Sequence, residues 1–161
     1  MNVARRSEKV AFYGIKGETD TVTYHRMEGF TDITTSKNPK EYTRQYVDMD
    51  TEITDITGYS TSMDYSFDWI KGNAVHEDLI AITDGELVGA DAVRSIIVVD
   101  MASATHVAKK RDFTVVPDSE GDTTDAYTYS GSLRAYGEVV DGTATSADGW
   151  QTITFTEADG E

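Results

Sequence analysis

The chain has 161 residues, 39% of them apolar, which is the length of one domain with enough apolar side chain to bury a core. Its 14 basic and 29 acidic residues leave a net charge of −15, which excludes a nucleic-acid binder that works through a phosphate-neutralising Lys/Arg surface. With no cysteine, disulfides, thiolate nucleophiles and cysteine-ligated zinc are excluded as well. The charge is uneven: residues 112–161 hold one base, Arg134, against 11 acids. No signal-peptide pattern follows the polar start, and no apolar run approaches the ~20 residues a membrane helix needs. A soluble protein made in a cytoplasm and not associated with a membrane is expected.

In chain order, residues 1–8 are polar and expected to be loose. Residues 9–15 predict a strand, Gly14 and Gly17 bracket a turn, and residues 21–30 predict a second strand. Residues 36–40 break the pattern at Asn38-Pro39, because proline donates no ladder hydrogen bond. Residues 41–56 are extended but polar, anchored by Tyr42, Tyr46 and Ile53, and read as a hairpin or arm. From Tyr59 to Trp69 every second residue is large or β-prone, and Ser60, Ser62, Asp64, Ser66 and Asp68 lie between. That alternation predicts one long strand with a buried face and a wet face.

Residues 73–85 predict the single helix, with Asn73 as N-cap, Val75, Leu79 and Ile82 as its apolar stripe and Gly85 as its stop. Strands are predicted over 91–101 and 106–117, followed by a polar loop over 118–125. Residues 126–140 alternate, with Tyr127, Tyr129, Leu133 and Val139 on one face. Asp141-Gly142 reads as a turn, and the last strand covers 150–156 with Trp150, Thr152, Thr154 and Thr156 on one side. The fold expected is mainly β, an antiparallel sandwich or barrel with one flanking α-helix, in a single domain over 1–161 ending in an acidic tail.

Candidate chemistry is sparse. Four carboxylates fall within residues 118–125. They could supply oxygens to Ca²⁺, but the glycine is misplaced for an EF-hand and a solvated acidic hairpin fits better. His76-Glu77 lacks a second histidine at zinc-protease spacing, and His25 and His106 stand alone. Gly58–Ser62 lacks the closing glycine of a nucleophile elbow, and Gly14–Thr19 lacks the ending of a phosphate loop. Asp64 and Asp68 share a strand face, but no neighbouring pattern makes them a glycosidase pair. No catalytic residue, metal ligand or cofactor is assigned. Charge patterning says more: Lys37, Lys40 and Arg44 precede Asp48, Asp50, Glu52 and Asp55 on the arm, and Lys109-Lys110-Arg111 forms a second basic cluster. Complementary patches of this kind suit head-to-tail assembly.

Residues 38–48, NPKEYTRQYVD, together with DYSFD at 64–68, NAVHED at 73–78 and ITDGEL at 82–87, resemble the major tail tube proteins of long-tailed phages of Gram-positive hosts. Arg111-Asp112-Phe113, VPDSEGD at 116–122 and YTYSG at 127–131 extend the resemblance in the same order over residues 30–156. It implies a non-enzymatic virion protein assembled in the bacterial host cytoplasm. Its subunits would form six-membered rings stacked into a hollow tube, related to tailocin and type VI secretion inner tubes.

The partners implied are further copies of the chain, a tape-measure protein, a tail terminator, baseplate or distal tail proteins and, in contractile tails, a sheath, with double-stranded DNA passing through. The family's stacking arm maps onto residues 36–56, placing Lys37, Lys40, Arg44, Asp48, Asp50 and Glu52 at subunit contacts. The wet face of Ser60, Ser62, Asp64, Ser66 and Asp68 would line the bore, where a negative surface of small residues repels phosphate. An ordinary outer surface is the alternative for that face. For the whole chain the alternative is a β-sandwich module binding carbohydrate or Ca²⁺.

Overall fold

The computed structural model describes residues 1–121 and 124–158. Among the described residues are eleven strands and one α-helix: β1 Lys9–Lys16, β2 Val22–Arg26, β3 Phe30–Ser36, β4 Pro39–Arg44, β5 Ile53–Tyr59, β6 Ser62–Asp68, α1 Ala74–Asp84, β7 Val93–Asp100, β8 Val107–Glu120, β9 Thr128–Ala135, β10 Val140–Thr145 and β11 Thr152–Glu157. Nine of them form one antiparallel sheet in the order β10-β11-β2-β1-β7-β8-β9-β6-β3. β10 also pairs with the first residues of β8, Val140 opposite Lys110 and Thr143 opposite Val107, so the strands from β8 through β7, β1, β2 and β11 to β10 close into a barrel. The sheet is thus a barrel at one end and an open blade, β8-β9-β6-β3, at the other.

Two apolar cores follow from this shape. Val10, Phe12, Ile97, Val99, Ala108, Ala144 and Ile153 fill the barrel. Ala11, Tyr13, Ile96, Phe113, Val115, Tyr129, Leu133, Met63, Tyr65 and Phe67 pack with α1 on the other side. β1 and β7 stand between the cores, so both their faces are dry, and Val10-Ala11-Phe12-Tyr13 and Ile96-Ile97-Val98-Val99 are unbroken apolar runs. β6 and β9 cover only one core and alternate.

Asn73 caps α1 by accepting hydrogen bonds from the Val75 and His76 N–H groups at 3.1 and 3.3 Å. The helix is tied to the sheet by Asp78, which accepts from the Tyr13 hydroxyl at 2.5 Å and from Arg94 Nε at 2.8 Å. Burial and the adjacent Asp78 carboxylate push the Tyr13 hydroxyl far above its ordinary range, so it stays a donor.

Several expectations are corrected. The long strand from Tyr59 to Trp69 is broken at Ser60-Thr61: Tyr59 ends β5 in a separate two-stranded sheet, and β6 is seven residues long. The cause is local, because the Ser60 N–H turns to the carbonyls of Lys37 and Asn38 at 3.2 Å instead of continuing the ladder. The second predicted strand divides at Gly29, which takes φ +73°, and its continuation β3 had no clear alternation to announce it. Asp141-Gly142 is no turn but part of β10, opposite Lys109 and Ala108. Tyr127 and Val139 lie outside β9 and are exposed. β8 runs on to Glu120 through part of the predicted acidic loop. Residues 6–8 form a 3-10 turn, and the Glu8 carbonyl accepts from the Met101 N–H at 2.7 Å. Asp122 of the acidic loop and residues 159–161 of the acidic tail lie outside the described residues.

Candidate assembly surfaces

The open blade buries one face on α1 and leaves the other wet. On β6 the wet side carries Ser62, Asp64, Ser66 and Asp68, with Asp64 and Asp68 exposed and the serines half-buried. Register extends it in both directions. Ser62, Asp64, Ser66 and Asp68 stand opposite Arg134, Ser132, Ser130 and Thr128 of β9, while Asp32, Thr34 and Ser36 of β3 flank Ser66, Asp64 and Ser62. Beyond β9, Thr114 and Val116 of β8 oppose Arg134 and Ser132.

The result is a four-stranded surface made mostly of serine, threonine and aspartate, with Val116 at its β8 side and one cation, Arg134. A shallow depression of about 510 Å³ crosses it between Asp32, Asp64, Asp118 and Arg134. Short cross-strand bonds hold the small side chains in place, Thr128 Oγ1 donating to Asp68 at 2.8 Å and the hydroxyls of Ser119 and Ser130 meeting at 2.7 Å. Gly131 lets the strands approach, since a Cβ there would sit 2.7 Å from both the Tyr65 hydroxyl and the Val116 carbonyl.

Ser60 lies outside β6, at the root of the β4–β5 hairpin, where its carbonyl accepts at 3.0 Å from Asn38 Nδ2, the amide that also donates to Ser62 Oγ at 3.3 Å. The contributions of β3, β8 and β9 were not foreseen, although the Ser130, Ser132, Arg134 alternation against Tyr129 and Leu133 carried the signal.

The hairpin stands apart as the two-stranded sheet β4–β5, and none of its residues is buried. Pro39 takes the first position of β4, where its missing N–H is tolerated. Arg44 is spent inside the hairpin: Nη1 meets Asp55 Oδ2 at 2.6 Å, Nε donates to the Tyr46 hydroxyl at 2.8 Å, and the guanidinium lies over the Tyr42 and Tyr46 rings. Those hydrogen bonds, the Tyr46 one foremost, raise its pKa further. Lys37 and Lys40 are exposed near the root, and Asp48, Asp50 and Glu52 are exposed at the tip. The arm is therefore polarised along its length. Tyr42, Tyr46, Val47, Ile56 and Tyr59 are also exposed on it.

The second basic cluster is committed within the subunit. Lys109 pairs with Asp141 at 3.1 Å, Lys110 Nζ lies over the Tyr24 and Phe155 rings, and Arg111 Nε donates to the Gly137 carbonyl at 2.7 Å. The histidines are dispersed. His25 is in β2, His106 packs 4.6 Å from the Trp150 ring, and His76 is buried in the helix core. Among the described residues no three His, Asp or Glu side chains converge as a metal site would require. Nor is any described helix long and apolar enough to cross a membrane.

No family model matches the sequence, and no curated protein matches it. Solved structures do. The tail tube of SPP1 superposes with a TM-score of 0.66 at 11% identity, covering 85% of this chain and 77% of that one. A subunit from the C6-symmetric tail of a gene transfer agent particle gives 0.60 at 10% identity, covering 85% of this chain and 97% of its own. One from the six-fold baseplate of the anti-feeding prophage gives 0.51 at 5% identity, covering 89% and 98%. The chain has the fold seen in tail tubes, mainly antiparallel β with a single helix.

Proposed function

We propose that the chain is the structural subunit of a tail tube, its copies forming six-membered rings that stack into a conduit through which DNA is ejected. The observation that carries this reading is the wet face of the open blade. Six copies at −15 each would bring about 90 net negative charges to a ring. A bore lined by Ser62, Asp64, Ser66, Asp68 and their β3 and β9 neighbours would repel phosphates, whereas one rich in Lys and Arg would hold DNA through counterion release. Apart from Arg134 the side chains of that face are small, which leaves little for a passing duplex to catch on. Likeness to tube subunits from two different particles supports the same reading.

In this arrangement the β4–β5 hairpin carries the contacts between rings, with Lys37, Lys40, Asp48, Asp50 and Glu52 outward and Arg44 bracing the hairpin itself. A tape-measure protein inside the growing tube, a terminator and baseplate at its ends and, in a contractile tail, a sheath outside complete the assembly in the host cytoplasm. The protein's place is then the virion tail. The test is Asp64→Lys with Asp68→Lys in tails of normal length: DNA ejection slows by about tenfold or more. Unchanged ejection from such tails would remove this face from the bore.

A further inference from the structure

The chain is strongly acidic, yet beside the edge strand β3 a cleft has more cations than carboxylates. It measures about 480 Å³ and runs between the start of β1 and β3, with Arg6, Lys9 and Arg26 on its walls and Asp32 as the lining carboxylate. It adjoins a hollow of about 260 Å³ lined by Ala11, Ile33, Met63 and Val98. Arg26 is occupied by Glu28 at 3.8 Å. Arg6 and Lys9 are exposed, and among the described residues neither pairs with a carboxylate. Arg6 is nonetheless held in place, because its Nη1 donates to the Lys9 carbonyl at 2.7 Å. Two exposed cations, Arg6 held in place and Lys9 beside it, next to an apolar hollow suit an acidic segment that also carries apolar side chains.

This chain contains one. At the hairpin tip Asp48, Asp50 and Glu52 are exposed, and Val47 among them is fully so. We propose that the tip of one copy's arm docks in the cleft of a second copy, its carboxylates on Arg6 and Lys9 and Val47 over the apolar hollow. The inference rests on the tube reading and names the contact that links successive rings. The contact cannot close within one subunit. Thr35 lines the hollow, and β4 departs four residues later at Pro39, so the cleft lies at the arm's root. The six residues of β4 carry the tip about 20 Å away at ~3.3 Å per residue. A tip-to-root contact joins two different surfaces, so, where two copies do not reciprocate it, it repeats from copy to copy through a growing assembly. Opposite charges at its rim set the register and speed the encounter.

The absence of native cysteine permits a direct test. Chains carrying Asp50→Cys are mixed with chains carrying Lys9→Cys under mild oxidation, and negative-stain images of wild-type protein are taken in parallel. The expected result is a mixed disulfide dimer in about tenfold excess over either homodimer. In addition, Arg6→Glu with Lys9→Glu should lower polymer yield about tenfold, and pairing that variant with Asp48→Lys, Asp50→Lys should restore heterotypic contacts. Tubes without the mixed dimer overturn the docking and leave the tube reading standing. A mixed dimer without rings or tubes supports the docking and overturns the tube. A disulfide formed inside a single chain bearing both cysteines, or no association of any kind, overturns the docking.

Discussion

His76 shows what a buried polar side chain costs at the scale of one residue. Its ring is fully buried, stacked 4.1 Å from Phe67, with Nδ1 accepting from the Ile70 N–H at 3.2 Å. Because Nδ1 accepts, the proton of the neutral ring sits on Nε2, which is buried without a hydrogen-bond partner of good geometry. Burial holds the ring below its ordinary 6.5, against the smaller opposing pull of the Glu28 carbonyl and the Glu77 carboxylate. The unfolded chain therefore binds a proton before the folded one does. The contribution of His76 to stability is level above about pH 7 and falls as pH drops below 6.5 toward the lower folded value. Thermal unfolding between pH 8 and 5 should show a drop in wild type that His76→Phe removes.

Gly142 is a second such residue. A Cβ there would lie 2.2 Å from the Thr156 carbonyl and 2.6 Å from the Phe155 ring. Gly142→Ala should cost about 2–3 kcal/mol by denaturant unfolding, because the overlap falls on backbone that closes the barrel.

At the scale of elements, the arm contrasts with everything else in the molecule. Strands of the main sheet are anchored in one or both cores, whereas β4 and β5 hold each other and bury nothing. An isolated two-stranded hairpin is at best marginally stable in water. Its own resources are the Arg44–Asp55 pair, the Tyr42 and Tyr46 rings over the guanidinium and a Thr43–Thr54 hydroxyl contact at 3.1 Å. Amide exchange over residues 39–59 should be at least about a hundredfold faster than in β1 and β7 in the free subunit, and should slow by a comparable factor in polymer. Equal exchange in both states would show that the arm is not covered on assembly. Element by element, legibility followed the number of dry faces. α1 was readable because its stripe and Asn73 cap are local signals, and β6 because it alternates. β3 was not, since an edge strand with a burial pattern of three half-buried positions in seven carries little periodicity.

For the whole molecule, the net charge of −15 opposes bringing copies together, while the contacts proposed to join them are local pairs of opposite sign. Raising ionic strength from 0.01 to 0.15 M shortens the screening length from about 30 to about 8 Å, which weakens the long-range repulsion more than contacts at a few ångströms. The concentration needed for polymer should fall about tenfold or more across that range, as read by sedimentation. A threshold that rises instead would mean attraction between opposite patches outweighs the net charge.

The sequence by itself determined the fold class, the helix and its cap, and the period-2 faces of β6 and β9, because propensity, capping and alternation act over a few neighbouring residues. It also fixed the acidity and the lack of thiol chemistry. Only the tertiary structure decided that β8 serves three neighbours, β7, β9 and β10, that Asp141-Gly142 is strand, and that Asp32, Asp64, Asp68 and Ser130 share one surface. These depend on which strands pair across separations of up to about seventy residues, and on closure of the barrel by β10, neither of which leaves a periodic mark in the chain. The same holds for the cations of Arg6 and Lys9. Their position beside β3 comes from pairings of β1 and β3 with different neighbours, β7 and β6, in one continuous curved sheet.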